Sequence, residues 1–266
     1  MKSFQYHRPD TVPAALALLG GAEETRPIAG GMTLLPTIKQ RLASPTALVD
    51  LSKIPQLFGI VLDGDVLTIG AMTRHVDVAE SELIRARVPV LASLAAGIGD
   101  PAVRNRGTIG GSIANNDPNA DYPAACLGLG ATIITNKRRI AADDFFTGMF
   151  STALEDGEII TKVSFPIAKK AAYEKFKHPA SGFALVGVFV SKRGADIRVA
   201  VTGAGANGVF RVKSFEEALK KRFAAKSLEG LSIPATGMNS DIHASPEYRA
   251  HLVGVLARRA LAKANA

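Results

Sequence analysis

The sequence predicts an α+β fold of two or three closely packed units. A chain of 266 residues exceeds the usual size of a single domain. Short β-branched runs alternate with helix-like patterns along its whole length. Asp63-Gly64, between two alternating runs, is a tight hairpin signal, so part of the sheet structure is antiparallel. No internal repeat, linker or low-complexity tract separates the units, whose expected limits are 1–58, 59–170 and 171–266.

Residues 4–51 read as strand, helix, strand, helix, strand. Pro13 sits just inside a helical pattern that ends near Gly20-Gly21 and carries Ala15, Leu16, Leu18 and Leu19. Pro27-Ile28-Ala29 is a short strand running into the pair Gly30-Gly31. A helix follows, with Thr33 placed to cap it and Pro36 in its first turn, where a missing backbone donor costs little. That helix would turn free N–H groups and its positive dipole end toward whatever the glycine loop holds. Residues 47–51 close the unit as a strand.

The second unit opens with strands at 60–62 and 66–69. Helices are expected at 76–85 and 89–97, then the stretch TIGGSIANNDPNADYP at 108–123. Asp121 has the character of a helix N-cap with Pro123 in the first turn, the helix running through Leu129. Residues 131–135 and 158–165 read as further strands. The third unit shows three strands, at 173–177, 183–190 and 197–201, the last two joined at Arg193-Gly194. Ser214-x-x-Glu217 is a capping-box signature. Ser245-Pro246-Glu247 starts a terminal helix with an expected buried stripe of Tyr248, Leu252, Val255 and Leu256.

Composition narrows the function. The 47% hydrophobic fraction is ordinary for a globular protein, and no apolar run reaches the roughly 18 residues that span a membrane. The N-terminus MKSFQYHRPD has no apolar core and no cleavage-type site, so the cytoplasm is the expected compartment. The net charge of +8 is uneven: residues 171–266 hold 15 Lys and Arg against 7 Asp and Glu. These cations are dispersed over helix-like patterns without interleaved exposed aromatics, which argues for a solvated face or an acidic partner subunit and against nucleic acid. The single cysteine, Cys126, excludes an internal disulfide and cannot by itself hold an iron–sulfur cluster. It reads as a buried small hydrophobe.

Several motifs also have plainer readings. Residues 203–208, GAGANG, match GxGxxG, but the dinucleotide fingerprint needs a helix at its third glycine, and Val209-Phe210-Arg211-Val212 alternates like a strand. This is a strand-to-strand loop. The five histidines are scattered, with no metal-ligand spacing. Asp117 and Asp121 could do acid–base work, yet their places beside prolines and a helix start favour capping and hydrogen bonding. With no evident nucleophile, base or metal, chemistry would have to come from a cofactor. Two glycine pairs, each before a helix-like run and each flanked by hydroxyl residues, suit a pyrophosphate.

AGGMTLLPTIKQR and TIGGSIANNDPNADYPAA resemble the two FAD-binding motifs of the flavin-carrying medium subunits of molybdenum hydroxylases, the group of carbon monoxide dehydrogenase medium chains and xanthine dehydrogenase flavin domains. FQYHRP, VRNRG, YEKF and MNSDIHASPEYRAHLV extend the similarity over nearly the whole chain. The resemblance implies a two-subdomain FAD fold of the p-cresol methylhydroxylase type with a C-terminal three-stranded antiparallel module. It implies that Ile28, Ala29, Gly30, Gly31, Met32, Thr33 and Leu34 wrap the FAD pyrophosphate, with Thr108, Gly110, Gly111 and Ser112 on the other side. Asn115, Asp117 and Asp121 would hold polar groups along the cofactor, and Ile160 and Lys177 would lie toward the isoalloxazine. Met32 and Asn115-Asn116 depart from residues common in relatives. The implied partners are a molybdenum-cofactor large subunit and a two-iron, two-sulfur small subunit in a dimer of heterotrimers. The rival expectations are a stand-alone FAD oxidoreductase of the same fold and a basic binding module without cofactor.

Overall fold

The structure is a computed structural model that describes residues 1–21 and 23–266. Its first unit is a small parallel sheet in the order β1-β3-β2, built from β1 (Gln5–His7), β2 (Thr25–Ile28) and β3 (Ala47–Asp50). Two helices connect these strands, α1 (Val12–Leu19) and α2 (Leu34–Lys39). At α1 Pro13 lies in the first turn and Gly20 ends the helix, as expected, and the structure adds a cap, the Thr11 hydroxyl accepting from the Ala14 N–H.

The second unit is a five-stranded antiparallel sheet in the order β4-β5-β10-β6-β7. Its first strands, β4 (Ile60–Asp63) and β5 (Val66–Gly70), form the hairpin signalled by Asp63-Gly64, with Gly64 at φ +53°. A run of helices follows: α3 (His75–Glu80), α4 (Glu82–Arg87), α5 (Pro89–Ala96), α6 (Pro101–Arg106), α7 (Ile109–Asn115) and α8 (Asp121–Leu129). The single helix expected over 76–85 is broken at Ser81, whose hydroxyl caps α4 by accepting from the Ile84 N–H. Then come β6 (Thr132–Thr135), β7 (Arg139–Ala141), α9 (Ala142–Phe145), the small hairpin β8 (Phe146–Gly148) and β9 (Ser151–Thr152), and β10 (Ile160–Pro166). Every residue of α8 is buried, Cys126 included, as a helix without a polar face must be. Burial pushes the Cys126 thiol pKa up, which leaves it unreactive.

The third unit is an antiparallel sheet of β11 (Lys170–Lys177), β12 (Ala184–Arg193) and β13 (Asp196–Thr202), extended by a two-residue fourth strand, β14 (Phe210–Arg211), beyond the three expected. One face packs on α8. A Cβ at Gly128 would sit 2.3 Å from the Phe189 ring, so glycine is what lets helix and sheet approach. The other face is covered by α10 (Lys213–Lys221) and α11 (Pro246–Asn265), around Val188, Val190, Phe215, Leu252 and Leu256. The GxGxxG stretch links β13 to β14, as its strand-like sequel implies.

Three local expectations are corrected here. The Ser214–Glu217 capping box does not form: α10 starts two residues earlier than that cap implies, with Val212 at its cap and no side-chain bond, because Glu216 is drawn inward. Its carboxylate accepts from Arg211 Nε at 2.7 Å and from the Val199 N–H. The buried stripe of α11 is carried by Arg249, Leu252, Val253, Leu256 and Ala260, while Tyr248 is exposed and Val255 half-buried. Asp121 is the first residue of α8 rather than its cap, a position held by Ala120, and its side chain points to partners in the third unit.

Candidate functional site

The chain leaves β2 at Ile28 and turns through Gly30 and Gly31, the latter at φ +72°, a conformation open to glycine. Gly30 is backed onto the main chain of the second unit: a Cβ there would lie 2.2 Å from the Arg106 carbonyl oxygen. From this turn the chain enters α2. The Leu35 N–H returns to the Gly31 carbonyl, but among the described residues the N–H groups of Gly30, Gly31, Met32, Thr33 and Leu34 donate to nothing in the chain. Thr33 stands at the cap position without a side-chain bond. Consecutive unpaired N–H groups at a turn form a concave site for an anion.

The second glycine pair is built differently. Thr108 caps α7, its hydroxyl accepting from the Gly111 N–H at 3.1 Å. The Ile109 N–H donates to the Thr73 carbonyl, that of Gly110 to Ala71 at 2.8 Å, and that of Ser112 to Thr108. A Cβ at Gly110 would lie 2.5 Å from the Ala71 side chain. Of the two glycine pairs, the first thus leaves its N–H groups open and the second has them taken inside the fold. The second lets α7 seat against the turn after β5.

Both loops face one cleft of about 650 Å³, within the range of cofactor sites. Of the residues singled out in the sequence, 28–34, Thr108, Gly110, Gly111, Ser112, Asn115, Asp117, Asp121 and Ile160 all line it. Lys177 does not: β11 carries it to a neighbouring cavity of about 350 Å³ between α5 and the third unit, which Lys175 also lines. Asp117 folds its carboxylate back onto the Asn119 N–H at 2.8 Å, and burial raises its pKa. Asp121 is 3% exposed and accepts from the Tyr173 hydroxyl and from Lys175 Nζ at 2.9 Å. Burial raises its pKa against the opposing pull of Lys175. The two carboxylates are thus held by the fold, and Asp121 ties the cleft wall to the third unit.

Several lining residues carry no sequence signal. His75 is buried against Tyr122, ring centroids 5.3 Å apart, with no partner for Nδ1, and burial pushes its pKa down to about 4. It is neutral, and a lone histidine without ligand spacing gives nothing to read. Glu158 is fastened by Arg138 (3.0 and 3.1 Å), the Thr135 hydroxyl (2.6 Å) and the Glu155 N–H (2.9 Å), contacts led by Arg138 that hold its pKa down to about 2. Phe150 and Phe183 are exposed aromatics on the lining. Met72, Ile98 and Val103 supply apolar wall. An anion cradle joined to an apolar, aromatic-edged cleft fits a dinucleotide: unpaired donors for a diphosphate and flat surfaces for rings. Among the described residues no group of three potential metal ligands forms, and no helix is long and apolar enough to cross a membrane.

A family model described as the FAD binding domain in molybdopterin dehydrogenase matches residues 2–168, and one described as the CO dehydrogenase flavoprotein C-terminal domain matches residues 171–264. The chain is 35% identical to the carbon monoxide dehydrogenase medium chain of Hydrogenophaga pseudoflava, over 97% of this chain and 96% of that one. It is 33% identical to the nicotine 6-hydroxylase medium subunit of Paenarthrobacter nicotinovorans, over 100% and 99% of the two chains. Among solved structures, carbon monoxide dehydrogenase from Hydrogenophaga pseudoflava lacking the Mo-pyranopterin moiety superposes with a TM-score of 0.87 at 35% identity, covering 99% and 97%.

Proposed function

Since this chain belongs to the FAD-binding medium subunits of the molybdenum hydroxylases, we propose that its cleft holds FAD through the unpaired N–H groups of residues 30–34. The protein is an FAD-carrying oxidoreductase subunit that works with a larger and a smaller partner. The single observation that carries the assignment of residues is the set of five donors, Gly30 to Leu34, left without partners among the described residues beside a cleft of cofactor size. Charge-assisted bonds from such donors to a diphosphate are about twice as strong as neutral ones.

Around that anchor the other residues have separate tasks. Ile28 and Ala29 lead the chain into the cradle, and Met32, Thr33 and Leu34 complete it. Thr108, Gly110, Gly111 and Ser112 form the facing wall, with its shape fixed by bonds inside the fold. Asn115, Asp117 and Asp121 line the polar side and Ile160 the apolar side, while Lys177 acts from outside the cleft. FAD, when bound, supplies the ability to take up electrons singly and release them in pairs. Neutral His75 and the fastened carboxylates of Glu158 and Asp121 keep the site's charge fixed meanwhile.

The finer assembly is proposed in the same sense. A small subunit with two-iron, two-sulfur clusters passes electrons from a molybdenum-bearing large subunit to this FAD, in a dimer of heterotrimers in the cytoplasm. The excess of cations over residues 171–266 supports an acidic docking partner for the third unit. The three limits 1–58, 59–170 and 171–266 are kept as units, supported by the separate sheets.

The test is to purify the chain with FAD, confirm one flavin released by acid, and add substrate with and without the two partner subunits. Flavin bleaching only with both partners is expected. Bleaching by a substrate with this chain alone overturns the subunit reading, and a chain that takes up no flavin overturns the cleft.

A further inference from the structure

Two non-glycine residues with left-handed backbones meet at the cleft. Asn116, at φ +43° and ψ +48°, ends α7, the helix of the second glycine pair. Phe150, at φ +53°, forms the tip of the β8–β9 hairpin. Asparagine visits this region readily, whereas a bulky aromatic there is an outlier that persists only when its surroundings over-determine it. They do so here. Asn116 is buried, its Nδ2 donates to the carbonyls of Gly148 and Ser151, each at 2.8 Å, and its own carbonyl accepts from the Phe150 N–H at 3.1 Å. The hydroxyls of Thr147 and Ser151 tie the hairpin across at 2.8 Å. One side chain thus grips both ends of the tip while its backbone holds the middle.

The fold gains little from this arrangement, because Phe150 is not core: it is 57% exposed, and the exposed ring lines the cleft. A strained aromatic held half in solvent at the edge of a binding site has a partner only when that site is filled. Flavin and adenine are both flat rings on which phenylalanine can stack. Electrons enter and leave through the flavin ring alone, so that ring belongs at the cleft's open edge, where Phe150 stands. We propose that Phe150 covers the isoalloxazine of bound FAD, and that Asn116 is the positioning residue that holds it there. The proposal rests on the FAD reading above and adds a cover to it.

Phe150→Gly is the direct test, since glycine accepts the tip's backbone without strain. Four properties are read on the FAD-loaded and FAD-free chain: flavin stoichiometry, the FAD dissociation constant, quenching of flavin emission by iodide and the unfolding midpoint. The expected variant still binds one FAD, with a dissociation constant raised about 2- to 13-fold, the factor that a single aromatic stack carries. Iodide quenching of its flavin rises severalfold, and the FAD-free midpoint does not fall. Phe150→Tyr restores the shielding from iodide, and Asn116→Ala removes it as Phe150→Gly does.

Iodide quenching equal to wild type overturns the proposal. Weakened FAD binding with unchanged iodide quenching places the ring on the adenine and also overturns it. A midpoint lowered by several degrees in Phe150→Gly assigns the ring to the fold and overturns it as well. A wild-type chain that takes up no FAD is a different result, because it removes the cofactor reading itself.

Discussion

Gly30-Gly31 and Gly110-Gly111 look alike in sequence, each following a strand-like run or hydroxyl residue and each opening a helix, yet the structure uses them in opposite ways. Around the first pair, five successive N–H groups have no partner among the described residues. Around the second, the N–H groups of Ile109, Gly110, Gly111 and Ser112 are all taken by Thr73, Ala71 and Thr108. The first pair leaves its donors open beside the cleft; the second is a joint that sets a helix against a sheet. A glycine pair therefore says that backbone comes close to something, and only the neighbours decide whether that something is ligand or protein.

The largest expected effect separates the two directly. Gly30→Ala drives a Cβ to 2.2 Å from the Arg106 carbonyl and shifts a loop that no donated bond holds. Losing two charge-assisted bonds of about 1.5–3 kcal/mol each weakens FAD binding by roughly 100-fold or more, as equilibrium titration would read it, with the apo-protein still folded. Gly110→Ala instead crowds Ala71 in the core. Overpacking costs about 1–3 kcal/mol, seen as a lower apo unfolding midpoint at about 2–4 °C per kcal/mol, and FAD affinity of the folded fraction changes far less. If the alanine at 110 released flavin from a fully stable chain, the comparison would be broken.

A smaller effect sharpens it. Thr108→Ala removes the cap bond to Gly111 and should cost about 1 kcal/mol in chemical denaturation. Thr33→Ala removes a hydroxyl that caps nothing, so the apo-protein should be indifferent to it. Equal losses at the two threonines would mean that the first loop is as tightly built as the second.

The smallest effect falls outside both loops and serves as their control. Glu158 has its pKa held at about 2, below the ordinary 4.5, chiefly by Arg138. A carboxylate with a depressed native pKa contributes stability above pH 4.5 and loses it as pH falls toward 2. Acid titration of the apo-protein should show that slope, and Glu158→Gln should flatten it. Arg138 is half-exposed, so the gain is screened and modest. A variant with an unchanged slope would assign the acid sensitivity to other groups.

Much of the framework was legible because its signals are local. Pro13, Asp63-Gly64 and Ser245-Pro246 each decide a helix start or turn within four residues, and the strand after GAGANG ruled out a dinucleotide fingerprint. What was not legible depends on partners far along the chain. Whether Gly110 has a free N–H is settled by Ala71. Ser214 lost its capping box because Glu216 found Arg211 and Val199, and Asp121 left its capping role for Tyr173 and Lys175. His75, Glu158 and Phe150 enter the cleft through tertiary placement alone. Of the sixteen residues that the resemblance to a known family names, fifteen line one cleft, and β11 carries the other, Lys177, to the next cavity.

The bond network of Asp121 also fixes when, during synthesis, the site comes into being. Its partners Tyr173 and Lys175 follow it by 52 and 54 residues, and the cleft lining runs from Arg26 to Phe183. The donor loop leaves the ribosome well before the wall that encloses it, which is complete only once Phe183 has been made. An enclosed cleft for the cofactor therefore forms only after the third unit has begun to pair with the second.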